Sequence, residues 1–576
     1  MWPFRSEKER QRFERQHARL VGDLARPWGT QPVTVEAVGL VTCLNDTGSD
    51  PPPSPQRGVL MDDMLARGVR SPNSVLASKK TSMVMVRGVL RPGIQKGETF
   101  DVEVRVLSQS DTTSLRGGKL LMTRLQEMAV LGNQVRSGRM VALAQGPILV
   151  DPSADEDGNR IMATRGRILG GGTATDSRPL YLMIKPEHKS VRNSARVAKA
   201  INRRFHYFDN GIQQGVANAQ TDERITLTVP PRYRENLPRY LQVVRSIALV
   251  DSPTETMTRL EVLERQLLDP LTASRAALEL EAYGKQSIDV LKKGLESDNL
   301  EVRFRSAEAL AYLDVDAAAR VLAEAALQEP AFRVFALGAL SSMDCYSAEE
   351  QLLRLLEVSS AETRYGAFRA LTEMDTTNPQ IRGELLGGQF HYHVLSVSGE
   401  PMVHVTRNRR PEIVLFGRNP KMKAPFELEA GNQILVIGRD DDEVTVSRFA
   451  VGQPDQKRTI SNNLDEVIRA IVELGGTYPD VVQALQQAKK RGVLPGRFEV
   501  EAIPQAGRRY DRVADAEAEP EELEEEEKPG LFRRFARFFA SEDSDDSEEA
   551  EVEPLAEGTA DILVPVEDTG ASDTGP

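Results

Sequence analysis

Three histidines of this 576-residue sequence have types and spacing that suit metal binding. His391 and His393 alternate along a predicted strand, so their side chains share one face, and His404 follows in the next segment. Two histidines at this spacing can hold a metal ion when a carboxylate joins them. The same alternation is typical of a surface strand with a polar outer face, and we favour that interpretation.

Two further segments resemble ligand-binding loops only in part. Gly170-Gly171-Gly172 lacks the Lys-Ser/Thr pair of a phosphate-binding loop, and we interpret it as a turn. The acidic residues 440–443 lack the spaced ligands and the glycine of a calcium loop, and we predict a solvated hairpin turn there. No nucleophile-elbow or zinc-protease motif occurs in the sequence. The sequence therefore predicts no catalytic residue, no cofactor and no metal ligand, which means that the protein is not an enzyme.

The cysteines and the apolar runs exclude two other classes of protein. The only cysteines are Cys43 and Cys345, which excludes a disulfide scaffold and a cysteine-based zinc site. Whether these two cysteines pair stays open. No apolar run reaches the roughly 18 residues of a membrane-spanning helix.

Alternating side chains predict a β-rich region over residues 32–251. Residues 99–107 place apolar and charged side chains on opposite faces, as in a half-buried strand. We predict further strands at 82–90, 139–144 and 225–229, and one helix at 194–205. Segments rich in Gly and Pro, PPPSPQRG and RPGIQKGE, are interpreted as turns between strands. The fold class is therefore α+β.

An internal repeat marks residues 252–378 as helical. Arg303, Arg333 and Arg364 recur at intervals of 30 and 31 residues within similar segments that close on Ala-Leu. Repeats of this length that each form a helix pair stack into an α-solenoid, and the pattern resembles HEAT-type repeats. Strands resume over residues 379–505 and are followed by two helices, the second capped by Thr477 with Pro479 in its first turn.

The net charge of −13 is unevenly distributed. Residues 511–576 hold 23 acidic and 5 basic residues, a net of −18, whereas the remaining residues hold 63 acidic and 68 basic ones, a net of +5. We predict that residues 506–576 are an acidic, disordered tail, which disfavours a nucleic-acid partner. Within it, residues 531–540 (LFRRFARFFA) form an island of Phe and Arg. Three roles for it stay open: contact with a membrane surface, docking into a partner's groove, or folding back onto the basic body.

Several long segments resemble the flagellar basal-body P-ring protein family. Residues 35–50 (VEAVGLVTCLNDTGSD) are similar to its opening motif, a Gly-Leu-Val followed by Gly-Leu-Asn-Gly-Thr-Gly. Residues 78–125 resemble its longest shared block, with a Ser-Leu-x-Gly-Gly-x-Leu-Leu-x-Thr loop, and residues 141–150 resemble the next strand. Residues 462–501 are similar to its two terminal helices and closing segment. The chain thus resembles one P-ring protein that is split by the helical repeats.

The sequence departs from the family at two positions of the opening motif. Cys43 and Asp46 stand where the family usually has glycine. Both replacements make a left-handed backbone conformation less favourable, although Asp tolerates it better than most residues.

The resemblance implies a non-catalytic structural subunit of the P ring in bacterial flagellar motility. It implies a ring-forming homo-oligomer in the periplasm that surrounds the distal rod, with rod and L-ring proteins and peptidoglycan as partners. The repeats would bind a further, unidentified protein. The alternative is a non-catalytic P-ring paralogue that acts as an interaction adaptor through its repeats and tail. Because the repeats interrupt one family unit, we expect deletion of residues 252–375 to leave a foldable subunit.

The amino-terminal segment, residues 1–31, conflicts with that location. It is charged and lacks the apolar core of about 7–15 residues that a signal peptide requires, which favours the cytosol. Members of the family are exported with a cleaved signal. We therefore expect an upstream start, because the residues after Met1 read like the interior of a longer protein.

Overall fold

The computed structural model describes the chain in seven segments. These segments are residues 19–131, 134–150, 160–249, 253–417, 420–439, 442–450 and 452–512. All of them belong to the first of two units, residues 1–520. The second unit, residues 521–576, lies outside the described residues, and so does the predicted Phe/Arg island at 531–540.

Residues 19–249 combine a β-barrel, a second sheet and several helices. In chain order the elements are α1 (Val21–Leu24), β1 (Ala25–Trp28), β2 (Val33–Thr42), α2 (Pro55–Ala66), α3 (Pro72–Leu76), β3 (Ser82–Leu90), β4 (Thr99–Val106), β5 (Lys119–Leu131), β6 (Gln134–Pro147), α4 (Arg160–Ala163), β7 (Arg165–Ala174), β8 (Leu180–Ile184), α5 (Val191–Arg204), β9 (His206–Asp209), β10 (Ile212–Gly215), β11 (Ala217–Ala219), β12 (Arg224–Leu227) and α6 (Leu237–Ser246). The barrel closes in the order β2-β3-β4-β7-β6-β5, and the second sheet has the order β1-β8-β12-β11. This mixture confirms the predicted α+β class. Val21, Leu24 and Ala25 are buried, so the chain is folded well before the expected boundary at residue 31.

The barrel follows from side-chain alternation. In β4, Phe100, Val102, Val104 and Val106 are buried, whereas Glu103 is exposed. The predicted strand face is therefore confirmed, and β3 has the predicted bounds. Helix α5 is confirmed too, but it begins three residues earlier than predicted.

Of the six helices described in this region, only α5 was predicted, and α2 shows why. The segment PPPSPQRG, interpreted above as a turn, contains the start of α2, so that interpretation is wrong. Ser54 accepts a hydrogen bond from the Arg57 N–H (3.2 Å), and Pro55 occupies the first helical position. Both residues are typical of a helix start, since the cap satisfies a free N–H and proline has none to satisfy.

The glycine triplet at 170–172 is also not a turn, because it lies within β7. The reason is the ring of Phe100, which lies over two neighbouring strands. A Cβ atom at Gly88 or Gly172 would come within 2.5 or 2.6 Å of carbon atoms in that ring. The barrel therefore requires glycine at both positions, and the glycine content of the triplet reflects packing.

Eight helices carry the chain through the predicted repeat region. They are α7 (Pro253–Leu267), α8 (Ala273–Tyr283), α9 (Ile288–Leu295), α10 (Leu300–Tyr312), α11 (Ala318–Gln328), α12 (Pro330–Ser341), α13 (Tyr346–Leu355) and α14 (Ala361–Met374). The pairs α7/α8, α9/α10, α11/α12 and α13/α14 pack together, and α8, α10, α12 and α14 also pack on one another in sequence. The region is therefore a stack of helix pairs, while its assignment to the HEAT type stays a prediction.

The recurring arginines have a shared structural role. Each one lies near the start of the second helix of a pair and donates to a carbonyl at or just after the end of the helix before it, where backbone acceptors lack intrahelical partners. The contacts are Arg303 Nη1 to Ser297 O (2.9 Å), Arg333 Nε to Ala326 O (3.0 Å) and Arg364 Nε to Leu356 O (2.9 Å). The arginine therefore recurs in the sequence because the same contact with a helix end recurs in the structure.

Residues 379–505 form two sheets and two helices. The elements are β13 (Gly383–Leu386), β14 (Phe390–Leu395), β15 (Met402–Val405), β16 (Glu412–Phe416), β17 (Phe426–Ala430), β18 (Ile434–Gly438), β19 (Glu443–Arg448), β20 (Gln456–Ser461), α15 (Leu464–Glu473), α16 (Tyr478–Lys490) and β21 (Arg497–Val500). One sheet has the order β13-β14-β16-β15-β21, and the other has the order β17-β18-β19-β20. The two predicted helices are confirmed, and Thr477 caps α16 with Asp480.

The largest apolar core crosses the expected domain boundaries. It runs from α1 and the second sheet through all eight helices to Leu395, Met402, Val414 and Phe416 of the five-stranded sheet. The barrel and the remaining C-terminal elements have separate cores. The helical stack therefore shares its hydrophobic core with the segments on either side of it.

Candidate functional site

The two most distinctive motifs of the sequence meet at one end of the barrel. The loop after β2, residues 43–50, packs against the loop before β5, residues 110–118. Thr47 Oγ1 donates to Ser114 O (2.8 Å), and the Thr113 N–H donates to Thr47 O (2.9 Å). Leu44 and Leu115, from the same loops, are buried in the barrel core. We call this structure the motif loops; it closes one end of the barrel.

The backbone of the motif loops requires the conformations that glycine adopts most easily. Cys43 has φ 66° and Asp46 has φ 56°, both in the left-handed region. These are the two positions where the sequence departs from the family's glycines. At Gly48, a Cβ atom would lie only 2.1 Å from Thr81 O, so glycine is needed there for space. The loops thus keep their shape despite two unfavourable residues.

Strands β5 and β6 extend beyond the barrel wall as an arm. Strand β2 pairs with β5 only within residues 119–127, and β7 pairs with β6 at residues 142–144. At the far end of the two strands, residues 128–131 pair with residues 134–137. In the described chain, no third strand pairs with either segment. We call these residues the β5–β6 arm. Its two open edges present backbone donors and acceptors that a further strand can pair with.

A buried ionic cluster joins α6, the helix that precedes the helical stack, to the stack itself. Glu281 of α8 is fully buried; it accepts from Tyr233 Oη (2.6 Å) and from Arg239 Nε (3.0 Å). Arg239 also pairs with Glu308 of α10 (2.7 Å). Burial raises the pKa of the Glu281 carboxyl, although the adjacent Arg239 favours its charged form. Because a buried charge without its partner is strongly unfavourable, this cluster fixes the stack to the flanking fold.

A second buried cluster joins α14 to the five-stranded sheet. Glu412 of β16 is fully buried, accepts from Tyr365 Oη (2.8 Å) and forms an ion pair with Arg410. His393 Nδ1 lies 2.7 Å from Ile381 O, and its Nε2 lies 3.8 Å from Glu412 Oε2. Strand β14, which carries His391 and His393, is covered by Phe368 of α14. Our interpretation of β14 as a surface strand is therefore wrong.

His404 is the most deeply buried of the three candidate histidines. Its ring stacks on Tyr365 with centroids 3.5 Å apart, and its Nε2 accepts the Ala502 N–H (3.0 Å). Burial and the nearby Arg369 charge lower the pKa of His404 to about 3. His404 therefore serves as a neutral acceptor within the core.

The barrel and the C-terminal region meet at Asp101. Its carboxylate accepts the Gly170 N–H (2.8 Å) within the barrel and the Arg409 N–H (2.6 Å) from the loop before β16. Arg409 also lies 3.7 Å from Glu235. The barrel and the C-terminal region, 308 positions apart at this contact, therefore touch directly.

The chain after β21 returns to the helical stack. Arg508 donates two hydrogen bonds to the carboxylate of Glu362 (2.7 Å each), and Arg512 donates to Glu301 (2.6 Å). Tyr510 packs on the ring of Phe332, with centroids 4.7 Å apart. Residues 506–512, which we predicted to be the start of the disordered tail, thus contact the helices.

The remaining candidate residues form no site in the described segments. Within them, no three His, Cys, Asp or Glu side chains gather in a way that suits a metal ion. Strands β18 and β19 pair around the acidic residues 440–443, as predicted for a hairpin, but Asp440 and Asp441 lie outside the described residues. Cys43 and Cys345 are both free. Among the described helices, none is long and apolar enough to cross a membrane.

Comparison with known proteins supports the resemblance seen in the motifs. A family model described as flagellar P-ring protein matches residues 20–265. Three curated relatives named flagellar P-ring protein come from Nitrosospira multiformis (29% identical over 260 residues, 43% of this chain and 64% of the relative), Thermotoga maritima (28% over 236 residues, 39% and 66%) and Sodalis glossinidius (30% over 252 residues, 42% and 64%). The chain thus spans slightly less than two thirds of the length of these relatives. The resemblance is confirmed; the extension of it to residues 379–505 stays a prediction, because the family model ends before them.

Proposed function

We propose, from the match of residues 20–265 to the flagellar P-ring family, that this protein is a structural component of the P ring of the flagellar basal body. The observation that carries the proposal is the coincidence of that match with the motif loops. The motif loops lie within the matched residues, and they contact each other through Thr47, Thr113 and Ser114. On this proposal the protein contributes to motility without catalysis.

We further propose that the protein forms a ring of identical subunits. A ring requires head-to-tail contacts between two different surfaces of the subunit. The β5–β6 arm supports this proposal, since its open edges can pair with a strand of the neighbouring copy. In this assembly the protein would lie in the periplasm, around the rod, with rod and L-ring proteins and peptidoglycan as its neighbours.

The helical stack would extend this role by binding another protein. A groove between α11 and α13 favours this idea and also the alternative function, a non-catalytic adaptor that keeps the P-ring fold. Arg320, Glu324, Leu327, Arg354 and Val358 help to line the groove. Leu327 is 46% exposed there, which offers an apolar contact flanked by charges.

The first experiment is mass spectrometry on flagellar basal bodies purified from the native host. Peptides from residues 78–125 and from residues 252–378 in the same preparation are expected if the full chain is a ring component. Recovery of the protein only from fractions without basal bodies would favour the adaptor. The mature amino terminus, read from the same data, tests the expected export signal.

A second experiment tests the arm. Replacing residues 128–137 by a two-residue Asn-Gly turn shortens the arm while leaving the barrel pairing of residues 119–127 intact. We expect the variant to fold but to sediment as a monomer under conditions in which the unaltered protein assembles. A shortened protein that assembles normally would exclude the arm from the contact.

A further inference from the structure

Helix α5 carries a compact stripe of basic side chains. Arg192, Arg196, Lys199 and Arg203 follow one another at spacings of four, three and four residues, and all four are exposed. At 3.6 residues per turn these positions fall within an arc of about 60° on the helix surface. None of the four side chains makes an ion pair or hydrogen bond with any described residue. The stripe is therefore a concentrated positive charge that the described part of the protein leaves uncompensated.

An exposed aromatic hairpin begins directly after this helix. Strands β9 and β10 form a two-residue hairpin in which Asn210 and Gly211 have positive φ. Phe208 is 68% exposed and Ile212 is 64% exposed, while Tyr207, on the opposite face from Phe208, is 51% exposed. A two-stranded hairpin with apolar groups in water on both faces gains little stability by itself. These side chains are therefore suited to contact with an apolar phase.

The hairpin is fixed to the end of the basic helix. Asn202 of α5 donates to Ala217 O and accepts the Ala217 N–H, each at 2.8 Å, which holds β11, the strand directly after the hairpin, against the helix. Gly215 fits against the same side chain so closely that a Cβ atom there would lie 2.2 Å from it. The stripe and the hairpin are therefore neighbours in the fold, and we call the two together the α5 surface.

We propose that the α5 surface binds the face of a bilayer that contains anionic phospholipids. Charge complementarity supports this occupant, because four cations that have no partner among the described residues match a layer of phosphate groups. The neighbouring Phe and Tyr side chains match the boundary between head groups and acyl chains. The protein as a whole has a net charge of −13, so attraction to such a bilayer has to come from a local surface. The proposal does not depend on the P-ring assignment.

The test is sedimentation of the full-length protein with vesicles of phosphatidylglycerol and phosphatidylcholine in equal parts. A basic residue near an anionic membrane contributes about 1 kcal/mol, which corresponds to about fivefold in the partition coefficient. We therefore expect the double variant Arg192→Gln/Arg196→Gln to bind about 25-fold more weakly. The matched control is Lys457→Gln/Lys489→Gln, which removes the same charge from exposed positions elsewhere and should bind like the unaltered protein.

The aromatic part of the surface needs a separate variant. Phe208→Ser should weaken binding about tenfold, because the ring no longer enters the bilayer. Since Phe208 is mostly exposed, this change leaves the folded core intact, and circular dichroism verifies that.

Three outcomes would overturn the proposal. If the protein binds vesicles of phosphatidylcholine alone as tightly as the mixed vesicles, the anionic head groups are not needed for binding. An equal loss of vesicle binding in the double variant and in its control would show that the contact does not lie on α5. Tighter binding to a single-stranded oligonucleotide than to the vesicles, at the same salt concentration, would identify a nucleic-acid surface instead.

Discussion

Acidification should weaken the contact between α14 and the five-stranded sheet, because His404 must stay neutral there. Its Nε2 accepts the Ala502 N–H, so a proton on that atom would face another donor inside the core. Arg369 adds like-charge repulsion. The pKa of His404 is about 3 in the folded protein, against an ordinary value of 6.5. The unfolded chain therefore binds a proton below about pH 6.5 that the folded chain does not bind, and stability is lost as the pH falls.

The size of the effect follows from this difference. Each pH unit between the two pKa values changes the free energy of unfolding by about 1.4 kcal/mol, so lowering the pH from 7 to 5 should cost about 2 kcal/mol through His404 alone. Burial raises the pKa values of Glu373 and Glu501, and these carboxyls act in the opposite direction. The contribution of His404 therefore has to be isolated by comparison with a variant.

His404→Phe is the suitable variant because it keeps a ring against Tyr365 and cannot titrate. At pH 7 it should be about 1–2 kcal/mol less stable, since the buried Ala502 N–H loses its acceptor. At pH 5 this gap should close. Hydrogen exchange of peptides from β15 and α14, corrected for the intrinsic rate at each pH, measures the local opening free energy. The exposed His206→Gln is the control and should follow the unaltered protein. If His404→Phe loses as much stability between pH 7 and pH 5 as the unaltered protein, the reasoning is refuted.

Four further predictions follow from the packing. Cys43→Gly should raise stability by about 1 kcal/mol, because it relieves a left-handed backbone, whereas Cys43→Ala should not; thermal denaturation compares them. Val104→Glu buries an unpaired charge and should cost at least about 4 kcal/mol, while Glu103→Gln on the exposed face should cost under about 1 kcal/mol; equal tolerance in urea unfolding would contradict the strand assignment. Glu281→Ala should cost about 3–5 kcal/mol in the same assay, since the buried Arg239 loses one of its two carboxylate partners, and a loss under 1 kcal/mol would show that the pair is not needed. Deleting residues 252–375 should abolish soluble expression, contrary to the expectation from the sequence, because both buried ionic clusters lose partners; a soluble, folded product would restore that expectation.

Local patterns predicted those elements whose own residues determine them. The alternation of β4 and the cap of α16 are readable in a few neighbouring residues, and the structure confirms both. The start of α2 was readable as well, from Ser54 followed by Pro55, but the density of proline led us to interpret it as a turn. The positions of Ser54 and Pro55 therefore indicate the helix start better than the proline content of the segment does.

Other features were not predictable because their causes lie far away in the chain. Glycine is needed at position 172 of β7 because the ring of Phe100, some 70 positions earlier, lies against it. The burial of His393 and His404 depends on α14, which contributes Phe368 to the ring of His393 and Tyr365 to the ring of His404. The motifs at residues 43–50 and 110–118 were recognised separately, but their contact needed the closed barrel.

The contact between Asp101 and Arg409 has a consequence for biosynthesis. The two residues are 308 positions apart, and at about 5–20 residues per second the ribosome needs about 15–60 s to make the intervening chain. Once Gly170 has been made, and until Arg409 follows, the nascent barrel carries a carboxylate with only one of its two backbone partners available. A nascent chain that stalls within the helices would therefore lack the contact that joins the barrel to the loop before β16.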